Sequence, residues 1–268
     1  MAIHPTALVD PTAELATNIE VGPYCVIGPR VTLGAGCVLH PHVHLVRNTK
    51  LGVNNILHTG AVLGDDPQDR KFHDEETWLL VGDNNDIREY STLHRGTGEG
   101  GQTVIGDDNL LMAYFHIGHN GVMGDRCTVA NSVGISGHCV IEDDVTIGGM
   151  AGLHQYVRVG RRAMIGGFSR VTQDVPPYTL VNGIPLEAEG LNTVGMRRSG
   201  MSPQHRTLLK RAYKLVYRSG LNLSQALEQI EAEIELIPEV KEFVDFLGKI
   251  ESGFAGRALD PRGASRRR

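Results

Sequence analysis

Three histidines and a glycine lie where proton-transfer chemistry is possible: His116, His119 and His138, with Gly137 beside the last. A neutral imidazole with a pKa of about 6.5 can take a proton from a hydroxyl at physiological pH. A glycine N–H, with no side chain in its way, can stabilise a developing oxyanion. Adding 18 to His119 reaches Gly137, and adding 18 again reaches Gln155. The same step joins Asn120, His138 and Tyr156. On a chain that coils every 18 residues, each column would stack with neighbours about 4.8 Å apart. His, Gly and Gln where solvated Lys or Glu would be usual read as a cleft floor. A base and an oxyanion donor without a Ser or Cys nucleophile point to direct acyl transfer onto a bound hydroxyl or amine.

What must position these groups is a repeat of six. Every sixth residue from Ile3 to Val171 gives 29 positions, and only Asp69, Glu75 and Glu99 among them are not aliphatic. The next residue is often glycine (Gly22, Gly28, Gly34), and a small residue commonly stands four after the aliphatic one (Ala7, Ala13, Cys25). Period six is neither an amphipathic helix nor simple strand alternation. It fits a short strand plus a turn, with one aliphatic side chain inward and glycine allowing the turn's backbone angles. Three such units make one triangular coil of 18 residues. The exceptions mark two insertions, at about 66–79 and about 96–103, that return the chain to register. Loops on a rigid scaffold commonly carry binding groups.

The repeat ends near 178, and helical spacing follows over 190–256. Ser202-Pro203 reads as N-cap and first helical residue, Gly220 as a stop, Ser224 as the next cap, and Pro238 as the start of a third helix. The tail 257–268 has no pattern and is expected to be disordered. Cys25, Cys37, Cys127 and Cys139 all occupy the small-residue slot and read as buried fillers in a reducing compartment. The formal net charge of −5 argues against a nucleic-acid binder. No apolar run approaches a membrane span, and no signal peptide is evident, so the cytoplasm is expected.

The strings QDRK (68–71), IREYSTLHRGT (87–97), DNLLMAYFHIGH (108–119), GGMAGLHQ (148–155), QDVPPY (173–178) and RAYKLVYRSG (211–220) are more specific than lone hexapeptides. With them the chain resembles the UDP-N-acetylglucosamine O-acyltransferases, the first acyltransferases of lipid A biosynthesis. The resemblance implies a left-handed parallel β-helix over 1–178 with a C-terminal α-helical domain, and a homotrimer with clefts between prisms. It implies transfer of an acyl group, expected to be 3-hydroxyacyl, from acyl carrier protein to the glucosamine 3-hydroxyl of UDP-N-acetylglucosamine, without cofactor or metal. It makes His119 the general base and Gly137 the oxyanion donor. Asp69 and Lys71 would hold the reactants, with His116, His138 and Gln155 lining the cleft and Asn192 and Arg198 meeting the nucleotide. The acyl-length ruler maps to Gly167.

Asn120 departs from the family's usual carboxylate after the base and offers a dipole but no charge. Val194 and Ser199 replace polar or charged residues common near the nucleotide. Between Gly190 and Gln225 there is no Asp or Glu but seven Lys or Arg, a patch that suits an acidic carrier protein. Two other classes use related scaffolds: a γ-carbonic-anhydrase-like zinc enzyme, for which His116, His119 and His138 would be ligands, and a non-catalytic β-helical scaffold. The sister enzyme acting on a 2-amine is disfavoured, because its separate N-terminal uridine-binding domain is absent.

Overall fold

A computed structural model describes residues 2–253 and 255–260. Each hexapeptide forms a strand, mostly of two residues, and the strands stack in three sheets of eleven, nine and eight, parallel throughout except that Glu187–Leu191 closes the largest one antiparallel to Thr179–Asn182. Successive coils pair 18 residues apart, as in His116 with Gly134 and Gly134 with Gly152. Across the insertions the steps lengthen to 30 residues (Val62 with Thr92) and 24 (Thr92 with His116), whole multiples of six. The aliphatic slot therefore never changes face. Its side chains, Ile117, Ile135 and Leu153 among them, fill the prism and are almost wholly buried. This is a left-handed parallel β-helix closed by an α-helical C-terminal domain.

The glycines after the aliphatic slot have a different cause from the one the pattern suggests. Most keep negative φ; what they lack is room. A Cβ on Gly28 would lie 1.7 Å from the carbonyl oxygen of Val46, and one on Gly34 would lie 2.3 Å from that of Gly52. The left-handed backbone is taken two residues later by side chains other than glycine, including Asn120 (φ 57°), His138 (φ 61°) and Tyr156 (φ 66°). Each such residue accepts a local strain of roughly 1–2 kcal/mol, least for Asn. The coil-to-coil hydrogen bonds at these turns, such as His138 N–H to His119 O at 2.9 Å, hold them there.

The first insertion ends earlier than its polar composition implies, because Trp78–Val81 is already a strand paired with Gln102–Ile105. The second likewise ends before Gln102. The C-terminal helices are α1 (Thr193–Arg198), α2 (Pro203–Arg218), α3 (Leu223–Glu233) and α4 (Pro238–Glu251). Ser202 caps α2 with Pro203 in its first turn. α3 starts two residues earlier than expected: Asn222, not Ser224, is its N-cap, and it forms a reciprocal capping box with Gln225. Helix α1 is too short to show periodicity and is absent from the sequence reading. A core of Met196, Leu209, Ala212, Ile230 and Phe243 joins these helices, with Tyr178 at the end of the prism.

The tail expectation needs correction at its near end. Gly256–Leu259 forms a 3-10 turn, Asp260 is buried, and Arg257 is hydrogen-bonded to the prism. Residues 261–268 lie outside the described residues. Among the described residues no helix is long and apolar enough to cross a membrane.

Candidate functional site

The three prism corners have different contents. His119, Gly137 and Gln155 lie on the corner that follows the nine-stranded sheet, just after His116–Ile117, Gly134–Ile135 and Gly152–Leu153. Both insertions leave the chain at this same corner, one and two coils before His119. The repeat therefore brings two loops over the histidine column.

His119 is only 7% exposed. Its Nδ1 lies 2.9 Å from Asn120 Oδ1. The Thr97 N–H donates to the same oxygen at 2.9 Å and the Thr97 hydroxyl does so at 2.8 Å, while Asn120 Nδ2 donates to Thr97 O at 3.2 Å. A backbone N–H can only donate, so this Asn atom is the carbonyl oxygen. The His119 nitrogen facing it carries the proton, and Nε2 is left as an acceptor. Asn120 thus fixes the tautomer that a carboxylate would fix, without supplying charge. Thr97, from the second insertion, was not singled out in the sequence reading. Only the return of the loop beside Asn120 reveals it.

His119 Nε2 is 3.8 Å from Asp69 Oδ2, too far for a direct hydrogen bond. It also covers Gly137, where a Cβ would sit 2.6 Å from Nε2. Any side chain at Gly137 would push the His119 ring aside. The coil-to-coil bonds here run through His138 N–H to His119 O and Tyr156 N–H to Gly137 O, so the Gly137 N–H is not spent on them. His138 meets the His119 ring edge-on at 5.0 Å and stacks on Tyr156 at 4.6 Å. Burial, with the nearby His119, holds the His138 pKa below its usual range.

His116 faces elsewhere. It lies on the sheet, bonded to the Thr92 hydroxyl at 2.8 Å and edge-on to buried His94. Burial, then His94, pushes its pKa down to about 4, and burial lowers His94 too. His94, His116 and His138 thus refuse protons that an unfolded chain accepts. Stability present above pH 6.5 is therefore lost as pH falls toward 4. The melting temperature is expected to drop between pH 7 and pH 5, and His116→Asn should flatten the drop in a thermal melt.

The first insertion is held from below. Arg95 is fully buried; its Nε donates to Gly64 O at 3.0 Å and Nη1 to the Thr77 hydroxyl at 3.0 Å, while Nη2 pairs with Asp66. The Phe72 ring lies 5.6 Å from the guanidinium. Asp69 then folds back to accept the Lys71 N–H at 3.0 Å, leaving the Lys71 side chain exposed.

Outward strand positions beside His116 carry Gly134 and Gly152, where an added Cβ would meet nothing within 4 Å. The result is a trough of about 350 Å³ also lined by Ser136, His154 and Thr172. Glycines 18 residues apart at an outward slot were the missed signal. The trough lies on the face of the nine-stranded sheet, which has the His119 corner along one edge and the Gly149 and Gly167 turns along the other. Gly167 is exposed, and a Cβ there would approach Gly149 O at 3.2 Å.

Asn192 and Arg198 are not brought to this corner. Asn192 caps α1 by accepting the Gly195 N–H at 2.9 Å and donates to Arg162 O at 2.9 Å, on the corner that follows the eight-stranded sheet. Arg198 is exposed in the last turn of α1. Val194 is exposed, while the Ser199 hydroxyl bonds Met196 O. Beside α1, the positions Arg197, Arg206, Lys210, Lys214 and Arg218 line a cavity of about 450 Å³. All four cysteines are buried and unpaired, and burial raises the Cys127 and Cys139 thiols to about 12. They are inert fillers. Among the described residues no three His, Cys, Asp or Glu side chains gather as metal ligands.

Residues 174–255 match the family model described as UDP N-acetylglucosamine O-acyltransferase, domain 2. A curated acyl-[acyl-carrier-protein]–UDP-N-acetylglucosamine O-acyltransferase of Anaeromyxobacter dehalogenans is 46% identical over 254 residues, 94% of this chain and 99% of the relative. One of the same name from Synechocystis is 46% identical over 201 residues, 75% of this chain and 72% of the relative. The solved LpxA of Acinetobacter baumannii superposes with a TM-score of 0.87 at 42% identity, covering 93% of this chain and 97% of that one. The UDP-N-acetylglucosamine acyltransferase of Bacteroides fragilis superposes with a TM-score of 0.90 at 38% identity, covering 91% and 96%. With identity of this size over nearly its whole length, the chain is an acyltransferase belonging to the acyl-[acyl-carrier-protein]–UDP-N-acetylglucosamine O-acyltransferase family.

Proposed function

We propose that this enzyme moves a 3-hydroxyacyl group from acyl carrier protein to the 3-hydroxyl of UDP-N-acetylglucosamine, by direct attack on the thioester. The observation that carries this reading is the His119 tautomer. With Nδ1–H bonded to Asn120 Oδ1, Nε2 is a free acceptor over Gly137. His119 takes the proton of the sugar hydroxyl as its oxygen bonds to the thioester carbon. The Gly137 N–H stabilises the oxyanion, and the carrier thiolate leaves with the proton returned from His119. The 3.8 Å between Asp69 and His119 Nε2 accommodates a hydroxyl oriented by the carboxylate, and exposed Lys71 adds a cation for the substrate. His138 and Gln155 line the cleft, and His116 borders the trough.

Asn192 and Arg198 lie with a different corner of the prism from His119. A site using both sets needs two chains, which favours a homotrimer with clefts between protomers. There Arg198 would meet nucleotide phosphates in fork geometry. Asn192 would contribute chiefly by holding α1, since its amide is already engaged. The basic cavity beside α1 suits docking of acidic acyl carrier protein. Inert buried thiols accord with a cytoplasmic setting.

Mass spectrometry of products from a panel of acyl-carrier-protein thioesters and both the 3-hydroxy and 3-amino UDP-sugars tests the reaction. Absence of a 3-O-acyl product with UDP-N-acetylglucosamine would sink it. In the same assay Gly167→Met is expected to cut transfer of the longest accepted chains at least tenfold, roughly the effect of a few misplaced methylenes, and to spare short ones.

A further inference from the structure

The chain returns from α4 to the prism as a short strap, Gly256–Asp260, and one side chain does most of the gripping. Arg257 Nε donates to Thr172 O at 3.1 Å. Its Nη1 lies 2.7 Å from Gln155 O, 3.0 Å from His154 Nδ1 and 2.7 Å from Asp260 Oδ2. His154 and Thr172 both line the trough, and they stand 18 residues apart on successive coils. A single guanidinium therefore ties two adjacent coils of the trough wall together.

The contact also decides a proton position. A guanidinium only donates, and Nη1 shares its two hydrogens among Gln155 O, Asp260 Oδ2 and His154 Nδ1, so the imidazole nitrogen bonds to it only when that nitrogen is unprotonated. In that arrangement His154 carries its proton on Nε2, at the other end of the ring. The strap itself is locked from below. The Arg257 N–H donates to both oxygens of Asp174, at 3.1 and 3.2 Å, and the same carboxylate accepts the Arg158 N–H at 2.8 Å. Gly256 has φ +66°, and a Cβ there would lie 2.0 Å from Asp174 Oδ2. Position and conformation both demand glycine. Asp260, 3% exposed, closes the ion pair with Arg257.

We infer that the strap is part of the acyl-transfer site, with Arg257 a positioning residue that holds His154 as the Nε2–H tautomer and fixes the trough wall. This rests on the proposed acyl transfer, with the trough beside the His119 corner taken to receive the acyl donor. The His154 Nε2–H is then a preset donor beside the chain of the incoming thioester, and its loss weakens donor binding more than turnover.

The test uses the full-length protein. Imidazole nitrogen NMR on histidine-labelled enzyme, with the His154 signal assigned through His154→Gln, reads the tautomer directly. Wild type is expected to show His154 protonated on Nε2 alone, and Arg257→Met to show a tautomer mixture. With it the KM for acyl carrier protein thioester should rise about tenfold, the size expected for a sub-ångström displacement, while kcat changes less. Arg257→Lys should restore part of the KM but not the full tautomer bias. Gly256→Ala, which lifts the strap without touching the guanidinium, should reproduce both effects with an unchanged melting transition of the prism. An unaltered His154 tautomer and unaltered KM in Arg257→Met would overturn the inference. A shifted tautomer in an enzyme whose wild type transfers no acyl group would instead refute the functional reading and leave the positioning contact intact.

Discussion

Replacing His119 by Ala is expected to lower kcat for acyl transfer by about a hundred- to ten-thousandfold, the usual worth of a positioned general base. The expectation follows from how fully the ring is prearranged. Nδ1 is engaged by Asn120 Oδ1 and Nε2 stands over Gly137 with Asp69 beyond it. The substitution removes the Nδ1 contacts to Asn120 and the Thr97 hydroxyl and leaves the Thr97–Asn120 pair in place. The melting transition and the oligomeric state should therefore change little, and KM for the sugar nucleotide only modestly. Near-wild-type kcat in His119→Ala would refute the catalytic assignment outright. Asn120→Ala provides the companion measurement. It keeps the base but frees its tautomer, so about a tenfold loss in kcat is expected. Asn120→Asp preserves the hydrogen bond and adds charge beside the imidazole. It should retain activity and move the acid limb of the pH–rate profile upward, because a neighbouring carboxylate favours the protonated ring.

These contrasts show which parts of the site are visible in a sequence. The column His119–Gly137–Gln155 was legible because every turn between strands has the same length and the aliphatic slot cannot change face without exposing the core. The insertions preserve that rule by adding whole hexapeptides. What could not be read is what side chains do across register. Asn192 reads as a polar residue free to meet a ligand, yet its amide is spent on α1 and on Arg162 O. Ser224 is a good cap by type, but Asn222 reaches Gln225 and takes the role. Arg257 sits in a run without pattern, and its partners lie 83 to 103 residues back. Gly134 and Gly152 were lost among many glycines, because composition does not say which of them face outward. Periodicity reports the direction of a side chain relative to the core, whereas these residues are defined by partners that periodicity does not pair.

Arg95 is the sharpest case, and its replacement carries the second large prediction. An arginine followed by glycine in a polar string reads as solvated, yet this one has no exposed surface. Its fork reaches Gly64 O, the Thr77 hydroxyl and Asp66, the two ends of the first insertion, and Phe72 of the same loop stacks near it. Pro67 and Phe72 are the only apolar residues among the twelve of this loop, so the guanidinium is what makes it a fixed platform for Asp69 and Lys71. Arg95→Met keeps the volume and deletes these bonds, stranding the Gly64 carbonyl and the Thr77 hydroxyl. Truncating one member of a buried polar network commonly costs about 3–5 kcal/mol; because Asp66 is half exposed and can rehydrate, about 2–3 kcal/mol is expected here. Much of that loss falls on the loop rather than the prism, whose stacked core is untouched. Amide exchange over 66–77 should therefore rise well before the global melt shifts. KM for the sugar nucleotide should increase tenfold or more, and kcat should fall less, since His119, Asn120 and Gly137 belong to other coils. Arg95→Lys is not expected to rescue either quantity, because a single ammonium cannot bridge both ends of the loop. Unchanged exchange over 66–77 in Arg95→Met would mean that the loop is held by something other than this buried fork.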